Sequence, residues 1–202
     1  MKVIAISGGS CSGKSTLLNA LAEKGYRVDD FKAARSVMTK LELTVDDLKN
    51  ANEDVITRFQ TALFDAKVEH DYSLLNSVIY DGDLHMRDDI VFVERSLADL
   101  MGFATLWHTK TQTYAQWLQR YRHRIDSEQD LLYTKVFLLP AGKFEYQNDG
   151  IRVDEAKQDF LDRIITMQTL ESSAPYKSSV HIVDAASVKD RVDEIERFIQ
   201  DV

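Results

Sequence analysis

An apolar run rich in β-branched residues that ends in a glycine turn leaves few folds open to a chain. This one begins that way: Lys2 to Ser7 (KVIAIS) leads directly into Gly8 to Thr16 (GGSCSGKST). The run suits a strand buried inside a parallel sheet, where both faces are covered. Behind the turn, Leu17, Leu18 and Leu21 share one face of a helix expected over Lys14 to Lys24, and Gly25 supplies its C-terminal stop. Strand, glycine turn and helix in this order form the first unit of an alternating α/β chain.

The turn carries chemistry of its own. Gly8, Gly13, Lys14 and Ser15 hold the spacing Gly-x-x-x-x-Gly-Lys-Ser between a strand and a helix, as a phosphate-binding loop requires. Gly8, Gly9, Ser10, Cys11, Ser12, Gly13, Lys14, Ser15 and Thr16 are therefore expected to bind nucleotide phosphates. Glycines let backbone N–H groups turn inward, and the helix beginning near Lys14 adds its positive end. Lys14 is expected to bridge the β- and γ-phosphate oxygens, Ser15 to ligate magnesium, and Thr16 to hold the inner phosphates. Cys11 takes a variable loop position; thiol reactivity at a helix N-terminus is one reading of it, incidental occupancy the plainer one.

The alternation continues along the chain. Tyr26 to Asp30 reads as a short strand ending in acids, Thr44 and Asp47 as a helix-starting capping box, and Asp54 to His70 as a helix. Asp89 to Ser96 (DIVFVERS) is the clearest interior strand, followed by helical LADLMGFATLWH and a helix over about Thr113 to Ile125. Lys135 to Pro140 and Val180 to Ala185 complete the strands, and Ser187 with Asp190 boxes a final helix. Ala141 to Arg152 is polar, with two glycines, and reads as a loop. The expected fold is a three-layer α/β architecture of the P-loop NTPase type, a parallel sheet with helices on both faces. It forms a single domain over residues 1–202, with a mobile lid sought in 141–163 and the site at the carboxyl ends of the strands.

Composition narrows the function. A formal charge of -8 argues against a protein that coats nucleic acid, and one cysteine excludes an internal disulfide. The absence of a long apolar run or signal-peptide pattern reads as a cytoplasmic protein without membrane association. The five histidines are scattered, so none is assigned as ligand or base. Trp107, Trp117 and Tyr121 read as helix packing, and Arg120, Arg122 and Arg124 as a solvated basic face, with contact to a phosphorylated or polymeric acceptor as the alternative.

The tip of the interior strand selects among phosphate-loop chemistries. Glu94 can reach magnesium, and the adjacent Arg95 can hold an anionic group of the acceptor or the transferred phosphoryl. Arg35 in FKAARSVM falls where an acceptor would lie, with an exposed helix arginine as the competing reading. Glu94-Arg95-Ser96, leading into a helix with Asp99, resembles the Glu-Arg-Ser segment of deoxynucleoside kinases. The layout is also similar to ribosylnicotinamide kinases and related phage and bacterial phosphate-loop proteins, with Gln60 and Asn148 to Arg152 (NDGIR) in fitting places. The resemblance implies magnesium at Ser15 and Glu94, Arg95 on phosphate or substrate, Arg152 from a closing lid with Arg163 as a further lid candidate, and acceptor contacts from Asp29, Asp30, Arg35, Arg95 and Asp99. Those kinases carry a glutamate near the end of the second strand, where this chain offers Asp29 and Asp30, so the base stays open between Asp30, Asp29 and Glu94.

The expected activity is ATP- and magnesium-dependent transfer to a nucleoside, nucleotide or related nucleobase-bearing acceptor, through Lys14, Asp30, Glu94, Arg95 and Arg152. A hydroxyl on a modified DNA base or a polynucleotide end is the alternative acceptor, and a nucleotide-dependent regulatory ATPase the alternative class. ATP leads over GTP because no Asn-Lys-x-Asp segment occurs. Acceptor identity and oligomeric state are not legible in the sequence.

Overall fold

Along the first strand the side chains alternate between two cores. In the computed structural model, which describes residues 1–77, 89–108, 111–140, 155–172 and 179–200, β1 (Lys2–Ser7) sits at the centre of a five-stranded parallel sheet. Val3 and Ala5 face one layer and Ile4 and Ile6 the other, all fully buried, as the twofold period of a strand demands. β1 is flanked by β3 (Ile90–Glu94) and β4 (Lys135–Leu138), and β2 (Arg27–Asp29) and β5 (Ser179–Ile182) lie outside them, in the order β2-β3-β1-β4-β5.

The helices divide between the two faces. α1 (Lys14–Glu23) buries Leu17, Leu18 and Leu21 against Ile4, Ile6, Phe92 and Phe137. It ends where expected, because Gly25 adopts a left-handed φ of 88° and Tyr26 N–H returns to the Leu21 carbonyl at 3.1 Å. The last helix, numbered α8 in chain order (Val188–Ile199), shares this layer through Val192, Ile195 and Ile199. The opposite layer holds α2 (Ala33–Leu41), α3 (Val45–Lys49), α4 (Glu53–Leu75), α5 (Leu97–Trp107) and α6 (Thr111–Leu132). The Thr44/Asp47 box starts α3, as expected. α6 runs past Ile125 to Leu132, since no glycine or proline interrupts Asp126 to Leu132. The remaining helix, α7 (Glu155–Ser172), packs on α5 so closely that a Cβ added at Gly102 would lie 2.5 Å from Ile165 Cγ1.

Register brings the strand ends level. Ile6 lies opposite Glu94, Ser7 opposite Leu138, and Asp29 opposite Val93, so the phosphate loop emerges beside the acidic tip of β3. Trp117 and Tyr121 are buried and stacked at 5.1 Å, consistent with helix packing. Among the described residues, no helix is long and apolar enough to cross a membrane.

One polar group is embedded in the larger core. Lys67 Nζ donates to both Asp71 carboxylate oxygens, at 2.9 and 2.7 Å, and the Tyr133 hydroxyl donates to Asp71 Oδ2 at 2.5 Å. All three are buried, and burial followed by the Asp71 charge pushes the Tyr133 hydroxyl well above its usual range. Removing one member strands a charge, whereas replacing the ion pair with apolar groups does not. Asp71→Leu is expected to destabilise the fold by about 3–5 kcal/mol, and Lys67→Met/Asp71→Leu to recover most of that loss in urea denaturation. Equal midpoints for the single and double variants would show that the stranded lysine is not the source of the cost.

Candidate active site

The phosphate loop is held in shape before any ligand contact is considered. Gly8 has φ 135°, and a Cβ there would lie 2.5 Å from the Leu139 carbonyl oxygen, so only glycine fits. Gly13 (φ 87°) and Cys11 (φ 58°) are also left-handed, giving the loop the reversals that aim backbone N–H groups inward. Ser12 Oγ donates to the Gly9 carbonyl at 3.0 Å, closing the loop on itself. Cys11 is partly exposed, and Ser15 and Thr16 are exposed at the first turn of α1.

Lys14 folds back into this loop, its Nζ donating to the Gly9 carbonyl and to Ser12 Oγ. The side chain is buried, and burial first, then the nearby Arg95, draws its pKa down to about 7. Glu94 and Asp99 act in the opposite sense on the same amine, and so does Asp162 on α7, an acid that the sequence reading did not select.

At the tip of β3, Glu94 Oε2 accepts from Lys32 Nζ at 2.5 Å. Burial alone would raise its pKa, but Arg95, Lys32 and Lys14 outweigh it and hold the carboxyl below its ordinary value. Arg95 adopts φ 69°, an uncommon conformation for a residue with a side chain, while its N–H still bonds the Ile6 carbonyl at 2.9 Å. Its guanidinium donates to the Gly8 carbonyl at 3.3 Å and stacks over Phe103 with 4.4 Å to the ring centroid. Lys14, Glu94 and Arg95 therefore come together as expected.

Asp99 requires a correction. The sequence placed it on the acceptor, but it is fully buried and its carboxylate is spent on the protein. It accepts from Ser7 Oγ (2.7 Å), Gly8 N (3.0 Å), Ser96 N (2.7 Å) and Ser96 Oγ (2.9 Å), and lies 3.7 Å from Arg95. The capping aspartate of α5 is thus also the anchor of the phosphate loop.

The acceptor-side candidates separate. Asp29 is half-buried, 2.9 Å from His70 Nε2, and accepts from Phe31 N, while Phe31 stacks on the His70 ring at 3.9 Å. His70 lies 41 positions away on α4, with no local motif to reveal it. Asp30 is exposed and forms no hydrogen bond among the described residues, and Arg35 is exposed on α2. Arg124 pairs with Asp65 and Arg122 with Glu171, as a solvated face would. Arg163 points into solvent, 78% exposed, and pairs with Asp159. Arg152 and segment 141–154 lie outside the described residues.

The donor set suits magnesium. Ser15 and Glu94 offer a hydroxyl and a carboxylate, hard oxygens that leave room for water and phosphate. Among the described residues, no group of three or more His, Cys, Asp or Glu could hold a metal ion.

Comparisons with known proteins bear on the family and the fold. A family model described as an AAA domain matches residues 3–191. The dephospho-CoA kinase of Fusobacterium nucleatum is 23% identical over 211 residues, spanning 99% of this chain and 98% of its own. Deoxyadenosine kinase from M. mycoides with bound dATP superposes with a TM-score of 0.71 at 15% identity, covering 98% of this chain and 99% of that one. The NadR protein in complex with NAD and AMP-PNP gives 0.65 at 18% identity, covering 98% of this chain and 49% of that one. By its match over nearly the whole length, the chain belongs to the AAA-domain family, and it has the α/β fold of P-loop nucleoside and nucleotide kinases.

Proposed function

We propose that this protein is a kinase that transfers the γ-phosphoryl of ATP to a hydroxyl of a nucleoside, nucleotide or related nucleobase-bearing small molecule in the cytoplasm. The observation that carries the reading is Arg95. A left-handed arginine at a strand tip is a costly placement, and here it sets a guanidinium beside both the phosphate loop and Glu94. Charge spread over a transferred phosphoryl needs such a cation whether the acceptor is water or a hydroxyl, and the relatives named as kinases favour the hydroxyl.

Lys14 and Arg95, with Arg152 as the third cation of this reading, stabilise the oxygens of the migrating group. Ser15 and Glu94 would hold magnesium, which draws negative charge from the phosphates. The acceptor oxygen bonds to the γ-phosphorus as the bond to the bridging oxygen breaks; ADP leaves, and the hydroxyl proton passes to a carboxylate. Asp30 is assigned that proton, since Asp29 is engaged by His70 and Glu94 by Lys32. Gln60 supports a nucleobase on the acceptor: it is 1% exposed on α4, and neither amide atom has a hydrogen-bond partner among the described residues. An amide offers both a donor and an acceptor, which a base edge can satisfy. The relatives named for dephospho-CoA and deoxyadenosine support the same acceptor class.

Incubation with magnesium and ATP against nucleosides, nucleoside monophosphates, dephospho-CoA, ribosylnicotinamide and hydroxymethylated DNA, followed by mass, tests the reading. One small acceptor is expected to gain a phosphoryl group, and Lys14→Ala to reduce turnover by about 10²–10³-fold. Phosphorylation of the DNA alone would move the acceptor to the polymer class. ADP formation with no labelled acceptor, together with nucleotide-dependent partner capture, would favour a regulatory ATPase.

Lys14 also predicts a proton signature. The free protein disfavours the charged amine, with a pKa of about 7, and a bound triphosphate favours it. Binding at about pH 8 is expected to take up close to one proton and at about pH 6 almost none, read by calorimetry in buffers of different ionisation enthalpy. Uptake that stays flat across this range would mean that Lys14 is already charged in the free loop.

A further inference from the structure

Arg191, in the first turn of α8, is fully buried, although the helix has no evident need of it for packing. Val192, Ile195 and Ile199 already seat α8 in the core. The guanidinium instead joins two segments that are remote in sequence. Its Nε donates to the Ala185 carbonyl at 2.7 Å, in the stretch after β5, and its Nη1 donates to the Ser12 carbonyl at 2.8 Å, inside the phosphate loop. Burial lowers its pKa, and the carboxylates of Asp184 and Glu194 act to restore it. Burying a guanidinium is expensive, so a residue kept there must supply something that a methionine would not.

What it supplies is a fixed separation. A guanidinium is planar, always charged and rigid in the directions of its donors, so two carbonyls bound to it cannot slide past one another. Ser12 is thus held twice: its carbonyl by Arg191, and its Oγ, which donates to the Gly9 carbonyl and accepts from Lys14. The other carbonyl belongs to Ala185, next to Ala186 and the α8 cap Ser187.

We propose that Arg191 is a positioning residue for nucleotide recognition: it sets the 183–187 segment at a fixed height over the phosphate loop, so that base and phosphates of one nucleotide are read in a single register. This rests on the reading of the loop as a nucleoside triphosphate site. The residue touches neither base nor phosphate, and acts through Ala185 and Ser12.

The distinguishing measurement compares a ligand with a base to one without. Dissociation constants of ATP and of inorganic tripolyphosphate, each with magnesium, are measured for the wild type, Arg191→Met and Arg191→Lys, with urea midpoints alongside. Arg191→Met is expected to weaken ATP by about 10–100-fold, the worth of one or two charged hydrogen bonds, and tripolyphosphate by less than about threefold. Arg191→Lys keeps the charge without the planar fork and is expected to fall between; it also carries the test if the methionine variant does not fold. Equal losses for the two ligands, or no loss, would overturn the proposal and leave Arg191 a stabiliser of the loop or the helix. A wild type that binds neither ligand would overturn the nucleotide reading and this inference together. Binding without phosphoryl transfer would count against the kinase assignment alone, because the comparison reads affinity.

Discussion

The buried carboxylate of Asp99 is the point from which the site is built. Four donors converge on its two oxygens, two from the end of β1 and two from the start of α5. Hydrogen bonds to a charged group contribute about 1.5–3 kcal/mol each, and a buried carboxylate without partners is far more costly than one fully engaged. The phosphate loop can therefore leave the sheet only in the direction that keeps Gly8 N–H on Asp99. Thr169 Oγ1, 3.2 Å from Ser7 Oγ, extends the same network to α7.

That anchor also explains the strained residue beside it. The Ser96 N–H must reach Asp99 while Arg95 N–H completes the ladder to Ile6, and the chain between them turns through a left-handed arginine. The strain is repaid in geometry, because the turn directs the guanidinium toward Gly8 and across Phe103 rather than along the strand. Glu94 stays at the strand tip, next to the loop, because the register pairs it with Ile6. A single buried acid thus ties together the phosphate loop, Glu94 and Arg95.

Local patterns were legible in the sequence, and long-range pairings were not. The strand before the loop, the α1 leucines with Gly25, the Thr44/Asp47 box and the Glu94-Arg95 tip all depend on residues within a few positions of each other, and the structure places them as read. Asp99 was misread because an acid three residues after Ser96 serves capping and loop anchoring at once, and only the second role reaches 92 positions away to Ser7. Arg191 contacts Ser12 across 179 positions, and His70 contacts Asp29 across 41, so no motif could announce either. α6 outran its expected end because helical periodicity fades on a partly exposed helix before the helix itself stops.

The cations of the site are internally compensated in the free protein. Lys14 leans on its own loop carbonyl, Lys32 on Glu94, and Arg95 on Gly8 and Asp99. On the proposed reading, nucleotide binding would be an exchange of partners: phosphate oxygens would replace the Gly9 carbonyl at Lys14, and Glu94 would give up Lys32 to hold magnesium. At Lys14 such an exchange would cost little reorganisation, since the amine is already buried and turned into its loop. Lys32 stands directly before α2, in the segment that also bears Asp30, Phe31 and Arg35, so its bond to Glu94 ties that segment to the tip of β3. In a chain whose formal charge is -8, Lys14, Lys32 and Arg95 are thus gathered at one end of the sheet.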